Sequence, residues 1–260
     1  MRDILIAVPA WAIALALFLF FSVVALCARS LGRRRGSPER RTELTDEAVR
    51  LLTGLAATFA FFVGFAITVT WGAVSAGQSA VEQHASALKQ MSWSINSIQD
   101  HAESAMLMEK LRDYAIAVAN DDAAYLARAD TANLPSAVPL DRFEDALHRY
   151  AFGPNAPAAE VSSLVREAAS VSGSSAELSA VAQRNLPGKL AILLLVTGVL
   201  VAGVMGISTV SARYPWLMLV WCLIPALSIT VVIALAFPFA AGVGVDLAPL
   251  TAVAQQLVVR

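Results

Sequence analysis

LLTGLAATFAFFVGFAITVTW, residues 51–71, contains no Asp, Glu, Lys or Arg across its 21 positions. A helix needs about 20 apolar residues to cross ~30 Å of hydrocarbon, so this stretch reads as a membrane span. Three more stretches share the property: residues 4–27, 190–210 and 216–241, with 24, 21 and 26 residues. The hydrophobic fraction of 57% and the mean hydropathy of +0.64 agree. A soluble core could hold one such run, but four describe a multi-pass membrane protein.

The first run is too long for the apolar region of a cleaved signal, which covers about 7–15 residues, and arginines follow it at once. It is therefore read as a retained span. Cys27 and Cys222 belong to no CxxC pair, so they read as small apolar fillers rather than as a disulfide or metal site.

Residues 28–50 join spans one and two and contain Arg29, Arg33, Arg34, Arg35, Arg40, Arg41 and Arg50. The short connection after span three contains Arg213. Positive residues beside spans stay cytoplasmic. The expected topology is a multi-pass protein of a bacterial inner membrane, with both termini, the insert and the tail at 242–260 facing outward. Arg33, Arg34 and Arg35 are the candidate contacts for anionic lipid headgroups. No aromatic or motif context points these arginines at a nucleic acid.

Residues 72–189 form a polar insert between spans two and three. Val81, His84, Leu88, Met91, Ile95, Ile98, Ala102 and Ala105 follow alternating steps of three and four, a heptad seam. Met108, Leu111, Ala115 and Val118 continue it after a small register shift. No Pro or Gly falls between 78 and 118. The spacing predicts that span two runs into one long helix, and residues 72–118 would project about 70 Å if straight. Asn155 and Pro157 suit the start of a returning helix. Its seam is Val161, Leu164, Ala168, Val171, Ser175, Leu178, Ala182 and Asn185, weakened by Ser-Gly-Ser-Ser at 172–175. Short helices are expected at 121–129 and 140–151, with a turn at Asn133-Leu134-Pro135, and a kink at Pro187-Gly188. The fold class is all-α: four transmembrane helices with an antiparallel helical-hairpin insert. Nine basic and fourteen acidic residues make the insert an ordinary solvated surface.

Span two has small residues at Ala56, Ala60, Gly64, Thr68 and Gly72, and span three at Gly198, Ala202 and Gly206. This spacing lets helix backbones approach closely in a membrane. Packing within one four-helix bundle is the expected use, and packing between subunits the sharper alternative. Phe59, Phe62 and Phe65, with Phe61 beside them, face lipid or neighbouring helices in the simpler reading. In the sharper one they form a constriction that gates a pore by dewetting. The spans lack the charges that mark pumps and proton relays. Thr58, Thr68, Thr70, Thr197, Ser208 and Thr209 remain to line a channel, although hydroxyls in spans commonly bond to their own helix.

No catalytic or metal signature stands out. His101-x-Glu103 lacks further ligands at useful spacing, and GxSxG, P-loop and GxGxxG patterns are missing. His84 reads as a polar seam residue, and Glu109 and Asp113 as surface charges. No cofactor and no enzyme activity are expected.

Four places resemble the bestrophin-like membrane proteins of bacteria. They are Val63-Gly64-Phe65-Ala66 with Trp71; Ala80-Val81-Glu82 with Ala85 and Leu88; Leu111-x-x-Tyr114 leading to Val118 and Asp121-Asp122; and Pro238-Phe239 with Gly242, Gly244, Val245, Pro249 and Leu250. The chain departs from the family pattern at His84-Ala85, where a Glu-Ala pair is common, and by lacking a Leu-Pro turn soon after. The resemblance implies a multi-span protein with a helical insert, and the family name points to anion channels. Two functions follow: an oligomeric, anion-channel-like protein whose partners are membrane lipids and its own copies, or an interaction or sensory module whose outward hairpin docks a protein partner.

Overall fold

A computed structural model describes residues 8–35, 37–153, 157–184, 187–212, 214, 216–240 and 244–259. Among them the chain is all helical. The helices are α1 (Ala10–Arg35), α2 (Pro38–Asn96), α3 (His101–Asn120), α4 (Ala123–Arg128), α5 (Ala137–Ala151), α6 (Ala158–Ala182), α7 (Gly188–Ser208), α8 (Trp216–Ala236) and α9 (Ala248–Val259), with a 3-10 turn at Thr131–Asn133. Four of these helices are long and apolar enough to cross a membrane: α1, α2, α7 and α8. Since α2 has 59 residues and a bilayer needs about 20, only its charge-free part, 51–71, is read as the span. Most of the described part of 28–50 is helical rather than a loop: α1 runs to Arg35 and α2 starts at Pro38.

The chain divides into two compact units, one of 1–72 with 185–236 and the other of 73–184 with 237–260. In the first unit α1 packs on both α7 and α8. Glycine is required at Gly206: a Cβ there would collide with the Ala25 carbonyl. At Gly198 a Cβ would meet the Phe21 ring at 3.0 Å, and both Phe21 and Ala25 are fully buried. Gly198 and Gly206 of span three thus lie against span one within the chain.

In the second unit the seam of α2 is confirmed as far as Ile98: Val81, His84, Leu88, Met91, Ile95 and Ile98 are all buried. The uninterrupted helix to residue 118 is not. α2 stops at Asn96, and α3 begins after Asp100, whose carboxylate accepts the backbone N–H groups of Ala102 and Glu103. Asp100-x-x-Glu103 has the spacing of a capping box. Because the cap restarts the helix in a new register, Ala102 and Ala105 are exposed instead of lying on the seam. The Ser104 hydroxyl donates to the Ile95 carbonyl at 2.8 Å, and Tyr114 meets His84. These pairings run α3 antiparallel to α2, so the hairpin turns at 97–100.

The returning helix α6 starts after Pro157 and buries Leu164, Val171, Leu178 and Ala182 as its spacing predicts; Asn155 and Asn185 lie outside the described residues. Pro187 caps α7 rather than kinking a continuous helix. The tail is a helix of this unit too: α9 buries Leu250, Val253, Ala254 and Leu257 in its core.

Candidate functional site: the open face of the second span

The membrane part of α2 has two unlike sides. Phe59 is 5% exposed and Phe62 is half-buried against the core of the first unit. Phe61 and Phe65 are 68% and 53% exposed. They sit in a row with Gly54, Thr58, Thr68 and Gly72, all exposed, at alternating steps of four and three. That is one helix face. The phenylalanine set Phe59, Phe62 and Phe65 is therefore divided: Phe65 shares the open side with Phe61, and Phe59 points into the protein.

The open face carries no charge. Its hydroxyls are satisfied internally: Thr58 donates to the Gly54 carbonyl at 2.9 Å and Thr68 to the Gly64 carbonyl at 3.0 Å. Thr70, Thr197, Ser208 and Thr209 also bond to carbonyls of their own helices. The face is thus two aromatic rings flanked by glycine and by threonines whose protons are engaged.

The small residues of α2 do something different from those of α7. Ala56, Ala60 and Gly64 line a half-open cavity of about 480 Å³, together with Ala202 and Met205 of α7 and Trp221 and Pro225 of α8. A Cβ on Gly64 would meet nothing within 4 Å. The tight use of this stripe inside the bundle is not seen.

The arginines divide as well. Arg33 donates Nε–H to the Val210 carbonyl at 3.2 Å, Arg34 is exposed, and the side chain of Arg35 is outside the described residues, as is Arg213. No group of three or more His, Cys, Asp or Glu side chains that could hold a metal occurs among the described residues.

A second polar cluster escaped the sequence reading. His84, fully buried in the second unit, contacts Ser174 Oγ through Nδ1 at 2.8 Å and the Tyr114 hydroxyl through Nε2 at 3.0 Å. Ser174 donates its own proton to the Val171 carbonyl, so it accepts from Nδ1–H, and Tyr114 donates to Nε2. Burial holds the imidazole pKa down at about 4 and pushes the Tyr114 phenol up. The serines at 172–175 that weaken the helix are the ones recruited: Ser174 bonds to His84 and Ser172 donates to Glu144. The signal was a histidine on an otherwise apolar seam facing a serine-rich one.

The model of the bestrophin-like domain matches residues 18–250. The chain belongs to the Bestrophin-like family. Bestrophin-like proteins of known structure share its fold. A bacterial bestrophin homolog from Klebsiella pneumoniae, phased on zinc, aligns with a TM-score of 0.69 at 13% identity, covering 94% of this chain and 96% of that one. A tryptophan variant of the same protein aligns at 0.72 and 12%, covering 94% and 97%. Identity this low supports the fold alone. No curated protein matches the chain. The bestrophin-like chain is thus a multi-pass, all-helical membrane protein, as its spans and motifs implied.

Proposed function

We propose that this bestrophin-like chain is a non-catalytic subunit of a homo-oligomeric channel, with the open face of α2 lining the ion path. The observation that carries the reading is the row Gly54, Thr58, Phe61, Phe65, Thr68 and Gly72, exposed in the protomer. A helix face with two exposed rings at its middle and small residues on either side suits a narrow hydrophobic constriction, which gates by dewetting. The row carries neither the carboxylates of cation pores nor the Arg or Lys of anion pores, so the proposed preference for anions rests on family membership alone. The cavity beside Ala56, Ala60 and Gly64 suits contact with a second copy or with lipid, since small residues permit close approach in membranes.

Reconstitution tests this. The purified protein should be a closed ring and should pass halide in liposomes. A strictly monomeric protein without flux would remove the proposal. We propose further that both termini face outward from a bacterial inner membrane, on the charge bias of 28–50, where Arg34, Arg40 and Arg50 are exposed. A reporter fused at Arg260 that reads cytoplasmic would reverse this topology.

A second reading, docking of a protein partner by the second unit, is favoured by one feature. Trp93 is 75% exposed and lines a cavity of about 670 Å³ with Lys89, Gln255 and Gln256. Photocrosslinking from position 93 that recovers only self and lipid would eliminate it.

A further inference from the structure

We propose that the end of α1, the start of α2 and the turn after α7 form a site for a phosphate-type oxyanion, centred on Arg29. Arg29 is 5% exposed. Its Nη2 donates to the Ala212 carbonyl at 2.9 Å, while its Nε is buried with no partner. One turn later on α1, Arg33 donates Nε–H to the Val210 carbonyl at 3.2 Å. From α2, Arg41 donates Nη2–H to the Arg33 carbonyl at 2.5 Å, and its Nε too is buried and unpartnered. Thr45 donates to the Arg41 carbonyl at 2.8 Å, so the Ser211 hydroxyl, 3.1 Å away, donates to Thr45. Two guanidinium groups and a hydroxyl pair therefore converge on three consecutive residues, Val210 to Ala212, and the third guanidinium, of Arg41, is tied to the same cluster through the Arg33 carbonyl.

No carboxylate pairs with Arg29, Arg33 or Arg41 among the described residues; the ion pairs there are Lys110–Glu109 and Arg166–Glu167. Carbonyls after a helix C-terminus offset part of the positive charge. They do not satisfy the two buried Nε–H donors, and a buried charge without a counter-charge is costly. An anion with several oxygens supplies both the charge and the acceptors. The planar guanidinium fork matches phosphate oxygens in a bidentate way that a single halide ion does not reproduce. The source is either the phosphodiester of an anionic lipid or free phosphate. The site differs from simple headgroup attraction along Arg33–Arg35, because its centre is the buried Arg29 and its third cation comes from α2.

The test uses the full chain in phosphatidylcholine nanodiscs and follows the melting temperature at matched ionic strength. One arm titrates inorganic phosphate; the other replaces part of the lipid with phosphatidylglycerol. Saturable stabilisation in the first arm assigns the site to free anion, and stabilisation in the second assigns it to the lipid headgroup. Arg41→Gln should weaken whichever response occurs by about tenfold or more, and Arg50→Gln, an exposed arginine on the same helix, should leave it unchanged. Arg41 is used because Arg29→Gln also removes the bond that ties α1 to the Ala212 carbonyl. No response in either arm beyond the salt control, or an equal response in wild type and Arg41→Gln, would overturn the proposal.

Discussion

The Tyr114 hydroxyl lies 3.0 Å from His84 Nε2, and this bond joins α3 to α2 through an imidazole with no exposed surface. The imidazole must be neutral to accept it. Its folded pKa, about 4, is below the ordinary value of 6.5. The stability it contributes is complete above pH 6.5 and is lost as the pH falls from there toward 4, because the unfolded chain binds the proton first. Between pH 7 and pH 5 the loss should be about 2 kcal/mol. Thermal melts of wild type and His84→Gln across that range check this: the variant should show the shallower pH slope, and equal slopes would contradict the assignment.

The two kinds of glycine should behave oppositely. Gly206→Ala forces a Cβ against the Ala25 backbone, and overpacking of this sort costs about 1–3 kcal/mol. Gly64→Ala meets nothing within the chain and should keep or raise the melting temperature of the protomer, because alanine restricts the unfolded backbone. Melts of both variants in detergent would separate them, and a matching loss in both would show that α2 packs more tightly than described.

Asp100 ends one helix and starts another. Asp100→Ala removes the acceptor for the N–H groups of Ala102 and Glu103 and should cost about 1 kcal/mol, with Asp100→Asn or Asp100→Ser retaining most of it. If the hairpin turned elsewhere, the alanine variant would be silent in the melt.

These sites also mark what the sequence made legible. Four charge-free runs identified the spans because the bilayer penalises charge regardless of tertiary context. The heptad seam up to Ile98 was readable for a similar reason: the second unit buries one face of α2 and leaves the other polar. Within the span that contrast disappears. Lipid is as apolar as a protein core, so spacing alone cannot tell Phe59, inside, from Phe61, outside. The break at 97–100 was present as Asp100-x-x-Glu103, but the hydrophobic steps on either side ran through it after a small shift. The grip of Arg29 and Arg33 on Ala212 and Val210 joins residues 183 and 177 positions apart, which no local pattern encodes.

If Phe61 and Phe65 form the constriction, shortening them should widen it. Phe61→Ala and Phe65→Ala are expected to raise halide flux severalfold in liposomes. Phe59→Ala, which empties a buried position, should lower stability without that gain. Flux unchanged by Phe61→Ala and Phe65→Ala would place the constriction elsewhere.

The most direct measurement asks whether the open face of α2 meets the conducting water. Cys27 is exposed and Cys222 buried, so the background is Cys27→Ser. Single cysteines then replace Thr58 or Thr68 on the open face, or Ile67 on the half-buried side, and a negatively charged thiol reagent is added during halide flux. The account predicts that modification at 58 and 68 blocks flux and that position 67 is insensitive. Flux that persists after confirmed labelling at 58 and 68 would contradict it.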